Sequence, residues 1–334
     1  MKLVSWTEAK RERLGFIFHG RVYRCRALDA RLPDRMHGLL QEWDHFLTIL
    51  KEAEASLIRF PALQATGYSI DDLALNAPTP RPVSIRDGYV FHQHVAAARN
   101  NRGMEMFPEF REYPVFYFGN RHAVFGPGEI SCMRDHFNKL DFELKAAVVI
   151  SRKGRNIRAI DAEKYMAGLM IMNDFSARML QVDRMMPDSA PAKEKDFATA
   201  FGPVLVTLDE LKAFEVAPKK NHKGKSWNLT MTASLNGRQI SSENLSDMDW
   251  TFAELIEHAS YGVDLYAGDV IGSGTIGAGC LQEINDVAKS YDPGYKEIWL
   301  QPGDEVSLRI TGLDELKNRI VQAPGDYSIL GRKS

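Results

Sequence analysis

Cysteine, excess charge and long apolar runs are all scarce in this sequence of 334 residues. Cys25, Cys132 and Cys280 are too few and too scattered for a disulfide framework or a thiolate metal site, which favours a reducing compartment. The formal net charge is only -2, which leaves no electrostatic footprint for nucleic acid or an anionic membrane surface. No apolar stretch approaches the roughly 20 residues that span a bilayer, and the first residues lack the apolar core of a signal peptide. These absences predict a cytoplasmic protein that binds neither nucleic acid nor membrane.

The composition is that of an ordinary globular protein, with 44% hydrophobic and 26% charged residues. Three prolines fall within residues 78–82, a density that neither a helix nor a central strand tolerates. We therefore place a domain boundary there, with a small N-terminal domain at 1–75 and a larger domain at 76–334. Strand patterns outnumber helical ones, so the larger domain is predicted to be a mixed, mostly antiparallel sheet structure of the α+β class.

Local patterns predict several individual elements. Residues 14–18 and 21–25 form a hairpin around His19-Gly20, and 229–235 and 238–242 form another around Asn236-Gly237. Apolar residues recur at helical spacing from residue 33 to 56. Further helices are expected at 87–103, after the short buried strand 167–172, and from the capping box at 251–254 to residue 260.

Charged residues alternate with apolar ones at Asp141, Glu143 and Lys145, so in a strand all three point to one face. Hard divalent cations such as Mg²⁺ or Ca²⁺ take oxygen ligands from carboxylates on separate elements. Glu143, Asp87 and Asp174 are the candidate ligands. The alternative is that each is a helix cap or a surface charge.

Two further sets share spacings of one helical face. Asp87 and His94 are seven residues apart, which would place a histidine base beside a cation held at the start of a helix. Arg178 and Gln181 follow Asp174 by four and seven residues, so they could reach substrate oxygens while Asp174 faces the cation. A plain salt bridge between Asp174 and Arg178 is the structural alternative.

The segment from Gly272 to Gly277 matches the dinucleotide-binding pattern G-x-G-x-x-G by letter. It is an isolated match without the following helix and acidic residue that such a site needs. A glycine-lined turn from which Thr275 donates to a substrate oxygen explains it better.

Five segments in a fixed order resemble the fumarylacetoacetate hydrolase family. They are Arg-Asp-x₆-His at 86–94, Asp-x-Glu-x-Lys at 141–145, Asn-Asp-x-Ser-Ala-Arg-x-x-Gln at 173–181, Lys-Asp-Phe with Gly-Pro at 195–203, and Gly-Ser-Gly-Thr at 272–275. The resemblance covers residues 76–334, and the region before it is similar to the small N-terminal domain that many members carry.

The resemblance implies the family's mixed β-sandwich roll, a homodimer, and metal-assisted chemistry on a small 2-oxo or diketo acid with Mg²⁺ or Ca²⁺. Hydrolytic cleavage of a carbon–carbon bond in a 3-acylpyruvate or similar β-diketo acid is the first expectation; a decarboxylase, hydratase or tautomerase of 2-oxo acids is the alternative. By the same resemblance, the residues fall into three groups. The metal ligands are Asp87, Glu143 and Asp174, the catalytic residues are His94, Glu283 and Lys195, and the substrate contacts are Tyr89, Tyr117, Arg178, Gln181 and Thr275.

Lys145 departs from the family pattern, because members usually carry a second glutamate at this position of the metal-binding strand. Two unit charges about 4 Å apart interact by about 4 kcal/mol at an effective dielectric constant of about 20, so an ammonium here opposes a divalent ion. Lys145 could turn away or lose its proton while Asp141 substitutes as a ligand, the ion could bind weakly through three carboxylates and water, or the ammonium could take the cation's place. We favour the third outcome slightly over the second. A catalytically impaired relative that only binds a ligand or partner is a further hypothesis.

Overall fold

The computed structural model describes residues 1–93, 96, 105, 108–180, 192–325 and 327–330. Within these ranges the α helices are α1 (Cys25–Leu28), α2 (Met36–Gln41), α3 (Trp43–Arg59), α4 (Phe252–Ser260) and α5 (Leu281–Tyr291). None of them combines the length and the apolarity needed to cross a membrane.

The strands of the described residues follow in chain order. They are β1 (Lys2–Glu8), β2 (Arg11–Phe18), β3 (Arg21–Arg24), β4 (Tyr68–Ser69), β5 (Ile85–Gly88), β6 (Phe116–Gly119), β7 (Val124–Phe125), β8 (Gly128–Cys132), β9 (Leu140–Asp141), β10 (Leu144–Ile150), β11 (Gly154–Arg155), β12 (Met166–Asp174), β13 (Ser176–Ala177), β14 (Thr199–Thr207), β15 (Glu215–Val216), β16 (Ser226–Trp227), β17 (Thr230–Leu235), β18 (Arg238–Asn244), β19 (Asp264–Leu265), β20 (Val270–Gly272), β21 (Glu305–Ile310) and β22 (Asp314–Gln322).

Two large sheets dominate the fold. The first has 11 strands in the order β4-β3-β2-β1-β14-β12-β10-β20-β5-β6, with β7 beside β14, and the second has five in the order β18-β17-β21-β22-β8. Most neighbours are antiparallel; the parallel pairs within these two sheets are β5 with β20, β7 with β14 and β8 with β22. The predicted mixed, mostly antiparallel architecture is therefore confirmed.

Strand β10 shows why the centre of the large sheet is buried on both sides. Its even-numbered residues belong to the apolar core shared with the five-stranded sheet, whereas Ala147 and Val149 belong to a second core that includes α2 and α3. Because successive side chains of a strand point to opposite faces, a strand with an apolar layer on each face is apolar throughout. The exception in β10 is Lys145, which is only 2% exposed.

The N-terminal strands continue the same sheet. β1 pairs with β14 in antiparallel fashion, with Lys2 opposite Val206, so the large sheet runs through the predicted division at residues 75 and 76. The division into two domains stays a prediction.

The two predicted hairpins and the helix after Thr251 are all present. Arg21 pairs with Phe18 in the first hairpin, and Arg238 pairs with Leu235 in the second. The Thr251 hydroxyl accepts the Glu254 backbone N–H at 3.2 Å, and the Glu254 carboxylate accepts that of Thr251 at 2.9 Å. The predicted helix at 33–56 is instead two helices, α2 and α3, which are interrupted at Glu42.

Two predictions of helical geometry were wrong. Asp87 does not begin a helix: it lies in strand β5, where it pairs with Gly272 and Tyr117. Asp174 ends strand β12, and Arg178 follows only after the short strand β13, so their spacing of four residues is not a helical turn. Pairing with neighbouring strands decides the conformation of both segments against the local spacing.

Candidate active site

The candidate site lies at one end of the strands of the large sheet, where five neighbouring strands begin or end. Strand β12 ends at Asp174, beside the beginning of β10, and β20 ends at Gly272, directly opposite Asp87 of β5. Tyr117, near the start of β6, is the next residue across the sheet from Asp87. The order β12-β10-β20-β5-β6 therefore brings segments that are far apart in the sequence to one place.

Three buried carboxylates lie close together at these strand ends. Asp87, Glu143 and Asp174 are 0%, 4% and 2% exposed, and one oxygen atom from each lies within 4.8 Å of the other two. These three residues are the metal ligands proposed from the sequence, and the structure brings them together. Such a buried acidic triad is a geometry that could hold a metal ion.

The ammonium of Lys145 lies within this triad. Its Nζ is 2.7 Å from Glu143 Oε2 and 3.2 Å from Asp174 Oδ2, and it donates a hydrogen bond to Asp87 Oδ2. A divalent ion would need to lie about 2.0–2.6 Å from the same oxygens. As they stand, the residues present therefore do not fit a divalent metal, because a cationic side chain already contacts all three ligand oxygens.

A second lysine completes the cluster. Lys195 Nζ is 2.8 Å from Glu143 Oε2 and 2.9 Å from Asp174 Oδ2, and it donates a hydrogen bond of 2.7 Å to Ser176 Oγ. Ser176 was not singled out from the sequence, although it lies within the segment 173–181 that carried the family resemblance.

The hydroxyl of Tyr117 lies between two of the carboxylates. It is 2.7 Å from Asp87 Oδ2, contacts Asp174 Oδ2, and accepts a hydrogen bond of 3.4 Å from Lys145 Nζ. The ring of Tyr89 packs against that of Tyr117 at a centroid distance of 5.7 Å. Burial raises the pKa of both phenols, so both are protonated at neutral pH.

Arg178 and Asp141 form a buried pair beside the triad. The Arg178 guanidinium is 2.8 Å from Asp141 Oδ2 through Nη2 and 3.0 Å through Nε, and the same Nη2 is 2.8 Å from Glu143 Oε1. The salt bridge between Asp174 and Arg178, raised as the structural alternative, is thus replaced by ion pairs of Arg178 with Asp141 and Glu143. Thr275 was expected to donate to a substrate oxygen; in the structure it donates to Glu143 Oε2 at 2.9 Å.

Asp141 is not a substitute ligand for a metal. Its carboxylate accepts hydrogen bonds from the backbone N–H groups of Leu281 at 2.7 Å and Gln282 at 3.1 Å, the first residues of α5. A carboxylate at a helix N-terminus satisfies orphan N–H groups and complements the helix dipole. The first of the three outcomes raised for Lys145 is therefore excluded by the geometry, because Lys145 remains in the triad and Asp141 serves the helix.

Burial and neighbouring charges set the protonation states of the cluster. Desolvation would lower the pKa of Lys145, but Asp87, Glu143 and Asp174 raise it well above its ordinary value. Desolvation would raise the pKa of Asp174, yet Lys195 and Lys145 bring it below its ordinary value. For Asp87 desolvation prevails, so its pKa is raised. The cluster therefore holds Lys145 in its charged form beside Asp87, a carboxylate that accepts a proton more readily than Asp174 does.

Some predicted residues cannot be placed in this way. His94 and Gln181 lie outside the described residues. Glu283 is buried, 7% exposed, in the first turn of α5. The catalytic pair of His94 and Glu283 accordingly stays a prediction. A contact that sequence reasoning missed is the backbone N–H of Gly274, which donates to Asp87 Oδ1 at 3.0 Å; a backbone donor leaves no signal in side-chain chemistry.

Comparison with known proteins bears on this site. Residues 84–321 match the sequence model of the fumarylacetoacetate (FAA) hydrolase C-terminal family. The chain is 27% identical over 309 residues to "Oxaloacetate tautomerase FAHD2A, mitochondrial" of Homo sapiens, covering 90% of this chain and 84% of that protein. It is 29% identical over 293 residues to "Oxaloacetate tautomerase YisK" of Bacillus subtilis, covering 86% and 87%.

Among solved structures, the maleylpyruvate hydrolase of Sphingobium sp. SYK-6, crystallised with manganese(II) and pyruvate, superposes with a TM-score of 0.68. The superposition covers 97% of this chain and 100% of that one at 18% identity. At this identity the likeness establishes a shared fold. The fold that the sequence resemblance implied is thereby confirmed.

Proposed function

The chain belongs to the fumarylacetoacetate hydrolase family, and on that premise we propose that it is an enzyme that interconverts the keto and enol forms of a dicarboxylic 2-oxo acid of the oxaloacetate type. Two observations support this choice over carbon–carbon bond hydrolysis. Two relatives that align over most of their own length and of this chain are named oxaloacetate tautomerases. The site also concentrates groups that stabilise an enolate, which tautomerisation requires and which need no activated water.

The reaction requires one proton to move between carbon and oxygen. In the direction from keto to enol, the C3–H bond breaks, its electron pair forms the C2–C3 double bond, and the carbonyl oxygen on C2 takes up a proton. The intermediate enolate carries its negative charge on that oxygen. Fixed cations in a dry site stabilise such a charge far better than water does.

We assign the enolate oxygen to Lys195, and the observation that carries the proposal is the hydrogen bond that its ammonium donates to the uncharged Ser176. Its ammonium has three N–H groups, which point to Glu143, Asp174 and Ser176. Ser176 is the uncharged partner of the three, so a substrate oxygen replaces this contact at the lowest electrostatic cost. Lys195 is also 7% exposed, more than the 2% of Lys145.

Tyr117 and Asp87 are the groups to which we assign the proton transfer. The Tyr117 hydroxyl donates to Asp87 Oδ2 at 2.7 Å, so it can pass its own proton to that carboxylate as it takes one from C3 of the substrate. Asp87 then returns the proton through Tyr117 to the enolate oxygen, which gives the enol and leaves both side chains as they began. The raised pKa of Asp87, caused by burial, suits a carboxylate that must accept a proton at neutral pH.

Arg178 is suited to the substrate's carboxylate. A guanidinium carries five N–H donors, and the contacts that the structure shows for Arg178 use Nε and Nη2. The Nη1 group is directed to the substrate in the proposal, because arginine and carboxylate match in geometry.

The test follows the relaxation of freshly dissolved enol-oxaloacetate by ultraviolet absorbance, with pyruvate release measured in the same samples. Tautomerisation predicts faster relaxation without pyruvate. Lys195→Met removes the ammonium and should lower kcat by about 100-fold or more, the effect of removing one donor to a developing oxyanion. Lys193→Ala is the matched control, since Lys193 is an exposed lysine two residues away that pairs with Asp196 at 2.8 Å.

The other outcomes separate the competing functions. Pyruvate formed from oxaloacetate would indicate a decarboxylase, and pyruvate formed from a short acylpyruvate would indicate the hydrolase that the sequence first suggested. A chain that binds these acids without changing either would be the catalytically impaired relative. Equal rates for Lys195→Met and Lys193→Ala would refute the assignment of Lys195.

A further inference from the structure

We infer that Lys145 is a built-in cation that replaces a divalent metal, so that the carboxylates of Asp87, Glu143 and Asp174 are organised by a covalently attached ammonium group. The inference concerns the same site as the proposed function. The experiment that tests it measures metal binding instead of tautomerisation, so the inference about Lys145 can fail while the proposed function holds, and the reverse.

The ammonium of Lys145 has as many N–H donors as there are carboxylates in the triad. An ammonium group has three N–H donors, and Nζ of Lys145 contacts one oxygen from each of the three carboxylates. The same three residues each have a carboxylate oxygen within 4.8 Å of one from the other two, which is the arrangement that could hold a metal ion. The three N–H groups of Lys145 are therefore enough to give each carboxylate of the triad one hydrogen bond.

The surroundings of Lys145 offer no favourable position to which an entering ion could displace its side chain. Its backbone lies in β10, opposite Met172 of β12, and the side chain is 2% exposed. The same face of β10 continues with Ala147 and Val149, which belong to an apolar core. A rotamer that withdrew the ammonium from the triad would bury an unpaired charge among apolar groups, which is strongly unfavourable.

The positive charges of two lysines also oppose the binding of a divalent ion at this site. Glu143 and Asp174 already contact a second ammonium, that of Lys195. A divalent ion would lie beside two ammonium groups and share its ligand oxygens with both. Replacing Lys145 by a carboxylate removes one of the repelling charges and adds a ligand, which is the change that should create a metal site.

Lys145 is a positioning residue in this scheme, because its ammonium contacts all three carboxylates of the triad. It fixes the carboxylates and the Tyr117 hydroxyl, to which its Nζ is 3.4 Å. Direct contact with substrate falls to Lys195.

The test measures manganese(II) binding by calorimetry and by electron paramagnetic resonance on protein dialysed against a chelator. The parent chain should show no stoichiometric Mn²⁺ binding, and its activity should be unchanged by the chelator. Lys145→Glu should bind one Mn²⁺ at least about 100-fold more tightly than the parent, because a neighbouring repulsive charge is exchanged for a ligand. Lys145→Met removes the charge but fills the same space with an apolar chain, so it should gain no binding.

Thermal unfolding with and without Mn²⁺ keeps the test informative if Lys145→Glu folds poorly. The ion should then raise the midpoint of Lys145→Glu and leave the midpoints of the parent and of Lys145→Met unchanged. Tight stoichiometric Mn²⁺ binding by the parent chain, with activity lost to the chelator and restored by the ion, would overturn the inference.

Discussion

Replacing Asp141 by alanine should destabilise the protein by about 5 kcal/mol, because this carboxylate both caps helix α5 and forms an ion pair with a buried arginine. It is 0% exposed and accepts hydrogen bonds from two N–H groups at the start of α5. It also pairs with Arg178 at 2.8 Å. Breaking a buried ion pair costs about 3–5 kcal/mol, and loss of a helix cap costs about 0.5–2 kcal/mol.

Asp141→Asn should cost about 3 kcal/mol, because the amide oxygen can still accept from the helix while the charge opposite Arg178 is lost. Thr251→Ala is the matched control. It removes the conventional cap of α4, whose hydroxyl accepts one backbone N–H at 3.2 Å, and should cost about 1 kcal/mol.

The assay is urea unfolding followed by circular dichroism, with the midpoints compared at equal m-values. The order of stability should be parent, Thr251→Ala, Asp141→Asn and Asp141→Ala. If Asp141→Ala cost no more than Thr251→Ala, the carboxylate would not hold both the helix and the arginine, and the account of this region would be wrong.

Three further changes test other parts of the structure. Gly272→Ala should reduce activity and lower the melting temperature, because an added Cβ would lie 2.4 Å from Asp87 Oδ1; normal activity and melting would contradict this close approach. Phe142→Ala should cost about 3–5 kcal/mol in urea unfolding, because the ring is 0% exposed in the core between the sheets, and a cost below about 1 kcal/mol would show that the ring is not packed there. The pKa of Glu297 is lowered from an ordinary value of 4.5 to about 2, mainly by the hydrogen bond from Lys289. Since the pKa is lower in the folded state, the ionised Glu297 contributes about 1 kcal/mol to the free energy of unfolding above pH 4.5. The difference in stability between the parent and Glu297→Gln should therefore vanish as the pH falls towards 2. A difference that did not depend on pH would argue against the ion pair.

The sequence allowed the composition of the site to be predicted better than its geometry. Period-two alternation predicted that Asp141, Glu143 and Lys145 would share one face of a strand, but residues 142–143 lie between β9 and β10, and only Glu143 and Lys145 meet, at 2.7 Å. The order of the five segments correctly indicated the family. The alternation could not reveal that Asp141 turns to α5, because its partners Leu281 and Gln282 lie 140 and 141 residues away along the chain.

The two wrong helical predictions have a common physical cause. Spacings of four and seven residues are compatible with a helix, but Asp87 and Asp174 lie in strands whose neighbours supply both ladders of hydrogen bonds. Local spacing carries no information about those neighbours. The homodimer, the cytoplasmic location and the roles of His94 and Gln181 stay predictions.

The pairing of β1 with β14 has a consequence for the order in which the protein is made. The first strand leaves the ribosome early, but Leu205 and Val206, which lie opposite Leu3 and Lys2, are synthesised about 200 residues later. At roughly 5–20 residues per second this separation corresponds to about 10–40 seconds of translation. During that interval the edge of β1 that pairs with β14 has no strand beside it, so this part of the large sheet can form only late in synthesis.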